Sequence, residues 1–166
     1  MRKHLLLLLL AIACSDAPAP PVPPPSSASS ASSASSAPDL SAITYAPALG
    51  IDLAAMSRSP RGVLYRDLTS GTGDPVGAGK LVAIHYVGTL PDGTQFDANG
   101  PSDPPYEFRL GAGDVVPGFD EAVTGMKVGG KRQVVIPPAL GYGAQANGPI
   151  PANSVLVFTI DLVSAR

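Results

Sequence analysis

Apolar and polar residues alternate over several short stretches in the second half of this chain. Tyr106, Phe108 and Leu110 alternate with Glu107 and Arg109, the period of two expected of a strand with one buried side. Residues 63–68 and 81–87 read as further strands, with Val82, Ile84 and Tyr86 on one face of the second. Arg132, Val134 and Ile136 alternate with Gln133 and Val135. In the last stretch Leu156, Phe158, Ile160 and Leu162 make one face, and Val155, Val157, Thr159, Asp161 and Val163 the other. One segment switches to helical spacing. Phe119, Val123 and Met126 follow the break at Pro117-Gly118, with Asp120 and Glu121 in the first turn, where the helix dipole favours negative charge. Turn-forming residues separate these segments at 70–75, at Pro91-Asp92-Gly93-Thr94, at Gly129-Gly130 and across 137–153. About five strands and one short helix predict an α+β domain, an antiparallel sheet wrapped over the helix, spanning residues 62–166.

The first 61 residues follow other patterns. Residues 39–61 read as an N-terminal extension, loosely docked, in which Leu49, Leu53 and Met56 could share one side of a short helix. Residues 14–38 are almost entirely Ala, Pro and Ser, with prolines at 18, 20, 21, 23, 24 and 25, the composition of an extended or flexible linker. Residues 1–13 have the layout of a secretory signal: Arg2 and Lys3, six leucines at 5–10, then small residues at Ala11 and Ala13. The apolar run falls well short of the roughly 20 residues a stable membrane span takes.

Charge and cysteine content narrow the function classes. The net charge is −2, and no basic patch interleaved with aromatics is present, so nucleic acid is not an expected partner. Cys14 is the only cysteine, which excludes an intrachain disulfide. Its place directly after Ala13 resembles a bacterial lipoprotein signal, in which the cysteine becomes an acylated N-terminus. That family usually has Leu three residues before the cysteine, where this chain has Ala11, with Leu10 four before. The resemblance implies a lipid anchor at Cys14 and a place in the bacterial cell envelope, on the outer membrane facing the periplasm. Ordinary secretion with an incidental cysteine is the alternative.

The stretch Val115-Val116-Pro117-Gly118-Phe119-Asp120 carries no nucleophile, catalytic acid or metal cluster. A site built on it would bind an apolar ring by shape and desolvation. Around it stand, in order, His85-Tyr86-Val87-Gly88, Asp92-Gly93-Thr94-Gln95-Phe96-Asp97, Phe108-Arg109-Leu110-Gly111, Met126-Lys127-Val128-Gly129-Gly130, Ile136-Pro137-Pro138, Gly141-Tyr142-Gly143 and Ile150-Pro151. This ordered set resembles the FKBP-type peptidyl-prolyl isomerases, over essentially the whole 62–166 domain.

The resemblance implies an aromatic pocket that accelerates X-Pro isomerisation. Tyr86, Phe96, Asp97, Tyr142 and Phe158 fall at the family's catalytic positions. Tyr106, Val115, Val116, Phe119 and Ile150 fall at its substrate-binding positions. Two departures stand out: the floor, usually Trp, is Phe119, and the usual Ile is Val116. The implied partners are proline-containing polypeptides and rapamycin-type macrolides, with no cofactor and no metal, and the chain is expected to act as a monomer. His85 lies on the opposite face of its strand from Tyr86 and receives no catalytic role. A non-catalytic proline-binding or chaperone module on the same fold is the alternative function.

Overall fold

The computed structural model describes residues 39–166. The signal segment 1–13, the linker 14–38 and Cys14 lie outside the described residues. Seven strands form one antiparallel sheet: β1 Ser57–Arg58, β2 Leu64–Thr69, β3 Leu81–Thr89, β4 Gln95–Asn99, β5 Tyr106–Arg109, β6 Lys131–Ile136 and β7 Leu156–Ala165. Their order is β1-β2-β6-β7-β3-β4, and β5 also pairs with β3. The long strand β3 therefore carries two partners on its free edge. Leu81 to Ile84 pair with β5, and Tyr86 to Thr89 pair with β4. Between the two, Gly100 and prolines at 101, 104 and 105 take the chain off the edge and return it. A proline offers no N–H to a ladder, so pairing cannot run through.

The single α-helix among the described residues, α1, spans Pro117–Val123. Pro117 sits at its first position, where a missing N–H costs nothing and the fixed φ already suits a helix. Gly118 is required by contact: a Cβ there would run into the Ile136 side chain of β6 and lie 3.1 Å from Leu140. The helix thus lies directly on the sheet. Phe119, Ala122 and Val123 join Val82, Ile84, Val134, Ile136, Leu156, Phe158, Ile160 and Leu162 in the main core. The apolar faces predicted for β3, β6 and β7 are the faces that meet the helix.

Arg132 is the polar exception on that face, and it is 6% exposed. Its guanidinium makes a two-pronged ion pair with Asp67 of β2, Nε to Oδ1 at 2.5 Å and Nη2 to Oδ2 at 3.1 Å. Its Nη1 donates to the Ala122 and Thr124 carbonyls at 2.8 and 3.2 Å. These carbonyls are left without partners at the end of α1, and a cation there also suits the helix dipole. The guanidinium lies over the Tyr65 ring, 4.6 Å from its centroid. One buried cation therefore joins β2, β6 and the helix end, with its donors satisfied as burial demands.

The extension differs from expectation. Residues 40–56 form no continuous helix but three single 3-10 turns, Leu40–Ala42, Pro47–Leu49 and Leu53–Ala55. Pro47 and the left-handed Gly50 (φ 59°) interrupt any longer helix, and the Asp39 and Asp52 side chains cap short turns instead. Nor is the segment loosely docked. Leu40, 1% exposed, forms a second cluster with Leu64, Val135, Val155 and Val157, against which Ile43, Tyr45, Leu49 and Met56 pack. This cluster covers the outer side of β6 and β7. Gln133 Nε2 donates to the Leu49 carbonyl at 2.6 Å, and the Ala46 N–H to the Pro91 carbonyl at 2.7 Å. The Tyr45 hydroxyl donates to the Leu40 carbonyl, and burial raises its pKa. The strand count also exceeds the expected five or so, because β1 and β4 carry no apolar alternation.

The second cluster makes a testable difference. Leu40→Ala is expected to lower unfolding free energy by about 2–5 kcal/mol, the range for deleting a buried Leu side chain. Leu68→Ala, at a residue 44% exposed, should change it by less than about 0.5 kcal/mol. Urea denaturation followed by circular dichroism measures both; equal, small effects would mean the extension contributes nothing to the fold.

Candidate functional site

A cavity of about 550 Å³ opens between the β4–β5 edge of the sheet and the start of α1. Nine of the ten non-lipid site residues expected from the sequence line it: Tyr86 from β3, Phe96 and Asp97 from β4, Tyr106 from β5, Val115 and Val116 before α1, Phe119 on α1, Tyr142 in the loop after β6, and Phe158 on β7. The tenth, Ile150, does not line it. It is 4% exposed and packs in the main core. A hydrogen-bonded pair with Asn147 turns its loop inward, Ile150 N–H to the Asn147 carbonyl at 3.0 Å and the reverse at 2.9 Å. Asp114 is the lining residue that sequence reasoning missed. Its position directly before the Val115-Val116 pair was the available signal.

Aromatic edges and faces set the shape. Phe119 is at the base, 5% exposed, and meets Phe158 edge to face at 5.0 Å between centroids. Phe96 meets Phe158 at 5.6 Å, and Tyr86 meets Phe119 at 5.9 Å. These crossed geometries suit the ring quadrupoles and leave flat apolar faces toward the cavity. Gly88 on β3 makes the Phe96–Phe158 contact possible, because a Cβ there would fall 2.7 Å from Phe96 ring carbons and 2.8 Å from Phe158.

Polar groups ring this apolar base. The Tyr86 hydroxyl donates to Asp97 Oδ2 at 2.7 Å. Burial first, and then the hydrogen bond to Asp97, push the Tyr86 pKa far above its ordinary value, so the phenol stays protonated at neutral pH. Asp114 Oδ2 accepts from the Arg109 N–H at 3.2 Å. Tyr142, 38% exposed, follows the 3-10 turn Pro138–Leu140 and stands at the mouth. The Val116 carbonyl accepts from Phe119 and Asp120, whereas its N–H makes no backbone hydrogen bond among the described residues. No Ser, Cys, His or Lys lines the cavity. His85 contacts Asn99 at 2.9 Å away from the cavity lining. The arrangement can hold a small apolar ring against Phe119 and offer donors at the rim, and it has no nucleophile with an adjacent base.

Comparison with known proteins agrees with this geometry. Residues 73–163 match the family described as FKBP-type peptidyl-prolyl cis-trans isomerase. FK506-binding protein 3 of Candida albicans is 50% identical over 105 residues, covering 63% of this chain and 24% of that protein. The 46 kDa FK506-binding nuclear protein of Spodoptera frugiperda is 44% identical over 106 residues, 63% of this chain and 26% of that one. The chain thus spans about a quarter of the length of these curated relatives. Among solved structures, AtFKBP13 superposes with a TM-score of 0.62 at 36% identity, over 67% of this chain and 98% of that one. FkpA from Escherichia coli gives 0.62 at 37% identity, over 68% and 52%. The family match runs from before β3 into β7 and takes in every residue lining the cavity, so this chain belongs to the FKBP-type peptidyl-prolyl cis-trans isomerase family.

Proposed function

We propose that this chain accelerates cis–trans isomerisation of X-Pro bonds in polypeptides, acting as a monomer through the aromatic cavity. The observation that carries this reading is the crossed Phe119–Phe158–Phe96 base beneath the Tyr142 hydroxyl, in a cavity without a nucleophile–base pair. The X-Pro bond turns slowly, over tens to hundreds of seconds, because twisting an amide breaks its resonance, a barrier of about 18–20 kcal/mol. Water stabilises the planar, charge-separated form by hydrogen bonding. An apolar cavity removes that water and so lowers the barrier.

Phe119 receives the face of the proline ring, and Tyr86, Phe96 and Phe158 hold its sides. The Val116 N–H and Tyr142 hydroxyl donate to carbonyls of the substrate. Asp97 accepts from Tyr86 and fixes that ring's orientation; it transfers no proton. Tyr106 and Val115 flank the chain on either side of the proline, and Ile150 backs the site from the core. Each 1.4 kcal/mol of preferential binding to the twisted amide is worth about tenfold in rate.

The test is a protease-coupled proline isomerisation assay on the full chain, repeated with a rapamycin-type macrolide, whose pipecolyl ring resembles proline. Turnover suppressed by stoichiometric macrolide is expected. Binding of macrolide without turnover would favour a proline-binding or chaperone module, and turnover indifferent to saturating macrolide would move the site elsewhere.

Substitutions separate the roles. Phe119→Ala should abolish most activity and cost about 3–5 kcal/mol of stability, since one ring serves cavity and core. Tyr142→Phe should lower kcat/KM by up to about tenfold with little change in stability, the worth of one hydrogen bond. Asp97→Val should reduce turnover by a similar factor. A phenol is neutral throughout pH 6–8, the Tyr86 pKa is raised further by burial, and the mechanism transfers no proton, so the rate should be flat there. A bell-shaped profile in that window, or loss of many orders of magnitude in Asp97→Val, would replace desolvation with acid–base catalysis.

The envelope location belongs to this proposal as well. It rests on the sequence of the first fourteen residues, since the curated relatives named above are fungal and insect proteins, although FkpA of Escherichia coli is among the similar solved structures. Lipidation at Cys14 would anchor the protein, and the 24 residues from Ser15 to Pro38 would span about 70–80 Å if fully extended. Expressed in a Gram-negative bacterium, the full chain should fractionate with membranes and Cys14→Ser should not. A Cys14→Ser protein still wholly in the membrane fraction would refute the anchor.

A further inference from the structure

The cavity is aromatic at its base and acidic at its rim. Asp97 and Asp114 line it, and no Lys, Arg or His does. Each carboxylate uses one oxygen internally, Asp97 Oδ2 for the Tyr86 hydroxyl and Asp114 Oδ2 for the Arg109 N–H. The cation nearest in sequence, Arg109, turns its guanidinium to the Gly79 carbonyl at 2.9 Å, away from the lining. The carboxylate charge on the rim therefore has no counter-ion built into the cavity.

A second depression, a groove of about 440 Å³, meets the cavity at Val115, which lines both. Ala78, Ala112 and Gly113 leave its floor bare of large side chains, so a polypeptide backbone can lie close. Its charged residues are Asp120, Glu121 and a single cation, Arg61. Asp120 Oδ1 accepts from the Gly111 N–H at 2.9 Å, and Glu121 Oε1 from the Arg61 N–H at 3.4 Å. Glu121 Oε2 is buried and is not open to the groove.

Resting on the isomerase reading, we propose that cavity and groove act as one acidic surface that selects polypeptides carrying Lys or Arg beside the proline. With the proline ring on Phe119, the chain that continues past Val115 enters the groove. A basic side chain next to the proline meets Asp97 or Asp114, and one further along meets Asp120. An acidic side chain in these places meets like charge. Partly exposed pairs of this kind change affinity by roughly 1.4- to fivefold per neighbouring charge, and salt screens them. The selection lies in the charges of the rim, whereas the rate depends on the aromatic base, so the two can be measured apart.

The experiment uses the full chain with a series of peptides differing only in the residue before proline, Lys, Leu or Glu, and a second series with the change placed after it. Exchange is read by NMR without a coupling protease, and affinity by titration of the same peptides. The expected order is Lys above Leu above Glu, with a span of about two- to twenty-five-fold between the extremes at low salt. This span should collapse in 1 M NaCl and narrow in Asp114→Asn, and the Gly111, Ala112 and Gly113 amides should shift with Lys-bearing peptides. Equal affinities for Lys and Glu peptides, or a span untouched by Asp114→Asn and by salt, would overturn the charge selection while leaving turnover of the Leu peptide intact. Absence of turnover on every peptide would instead sink the isomerase reading, and the titrations would still report the preference.

Discussion

The edge-to-face contact of Phe119 with Phe158, 5.0 Å between centroids, is the contact on which the rest of the structure turns. It seats α1 on β7 and at once makes the base of the cavity. Bringing a helix so near a sheet leaves no room for side chains at the closest points. Gly118 supplies the gap beneath the helix and Gly88 the gap beneath the Phe96 and Phe158 rings. Neither glycine has a positive φ, so their role is space and not an unusual backbone conformation. Because the base of the cavity is also the centre of the core, binding strength and fold stability share one set of rings.

Arg132 answers a second constraint. A helix of seven residues leaves most of its terminal carbonyls outside its own hydrogen bonds, and here its end is close to the sheet. The guanidinium meets two of those carbonyls while Asp67 neutralises it. Removing Asp67 would leave the Arg132 charge buried without its counter-ion, which is far more costly than the net worth of the pair. The tilt of the helix, and with it the position of Phe119, thus rests partly on a polar contact at the far end from the cavity.

The sequence made the helix face of the sheet readable because burial on one side imposes a period of two, and Val134, Ile136, Leu156, Phe158, Ile160 and Leu162 keep it strictly. It made nine cavity residues readable because they stand in ordered motifs. It hid what depends on neighbours distant in the chain. Nothing near Val135, Val155 and Val157 in the sequence says what covers the other faces of β6 and β7, and only the fold brings Leu40 and Met56 over that apolar end. Strand β4 escaped because Gln95, Asp97 and Asn99 break any apolar pattern, as an edge strand that faces water and a cavity can afford to do. The motif around Ile150 fixed its neighbourhood but not its side-chain direction, which is toward the core, and Asp114 was passed over beside a more conspicuous apolar pair.

The division of the β3 edge between two short strands has a mechanical consequence. β6 and β7 are held on both sides by other strands, covered by the helix side on one face and by the second cluster over one end of the other, so their amides are expected to be among the slowest to open. β4 has one neighbour, five residues and mostly exposed side chains. The cavity is therefore bounded by a stiff half, carrying Phe119 and Phe158, and a compliant half, carrying Phe96 and Asp97. A bound amide that must sweep its carbonyl through a wide arc needs a fixed pivot for the ring and a yielding surface for the rest of the chain, and the sheet supplies one on each side of the same cavity.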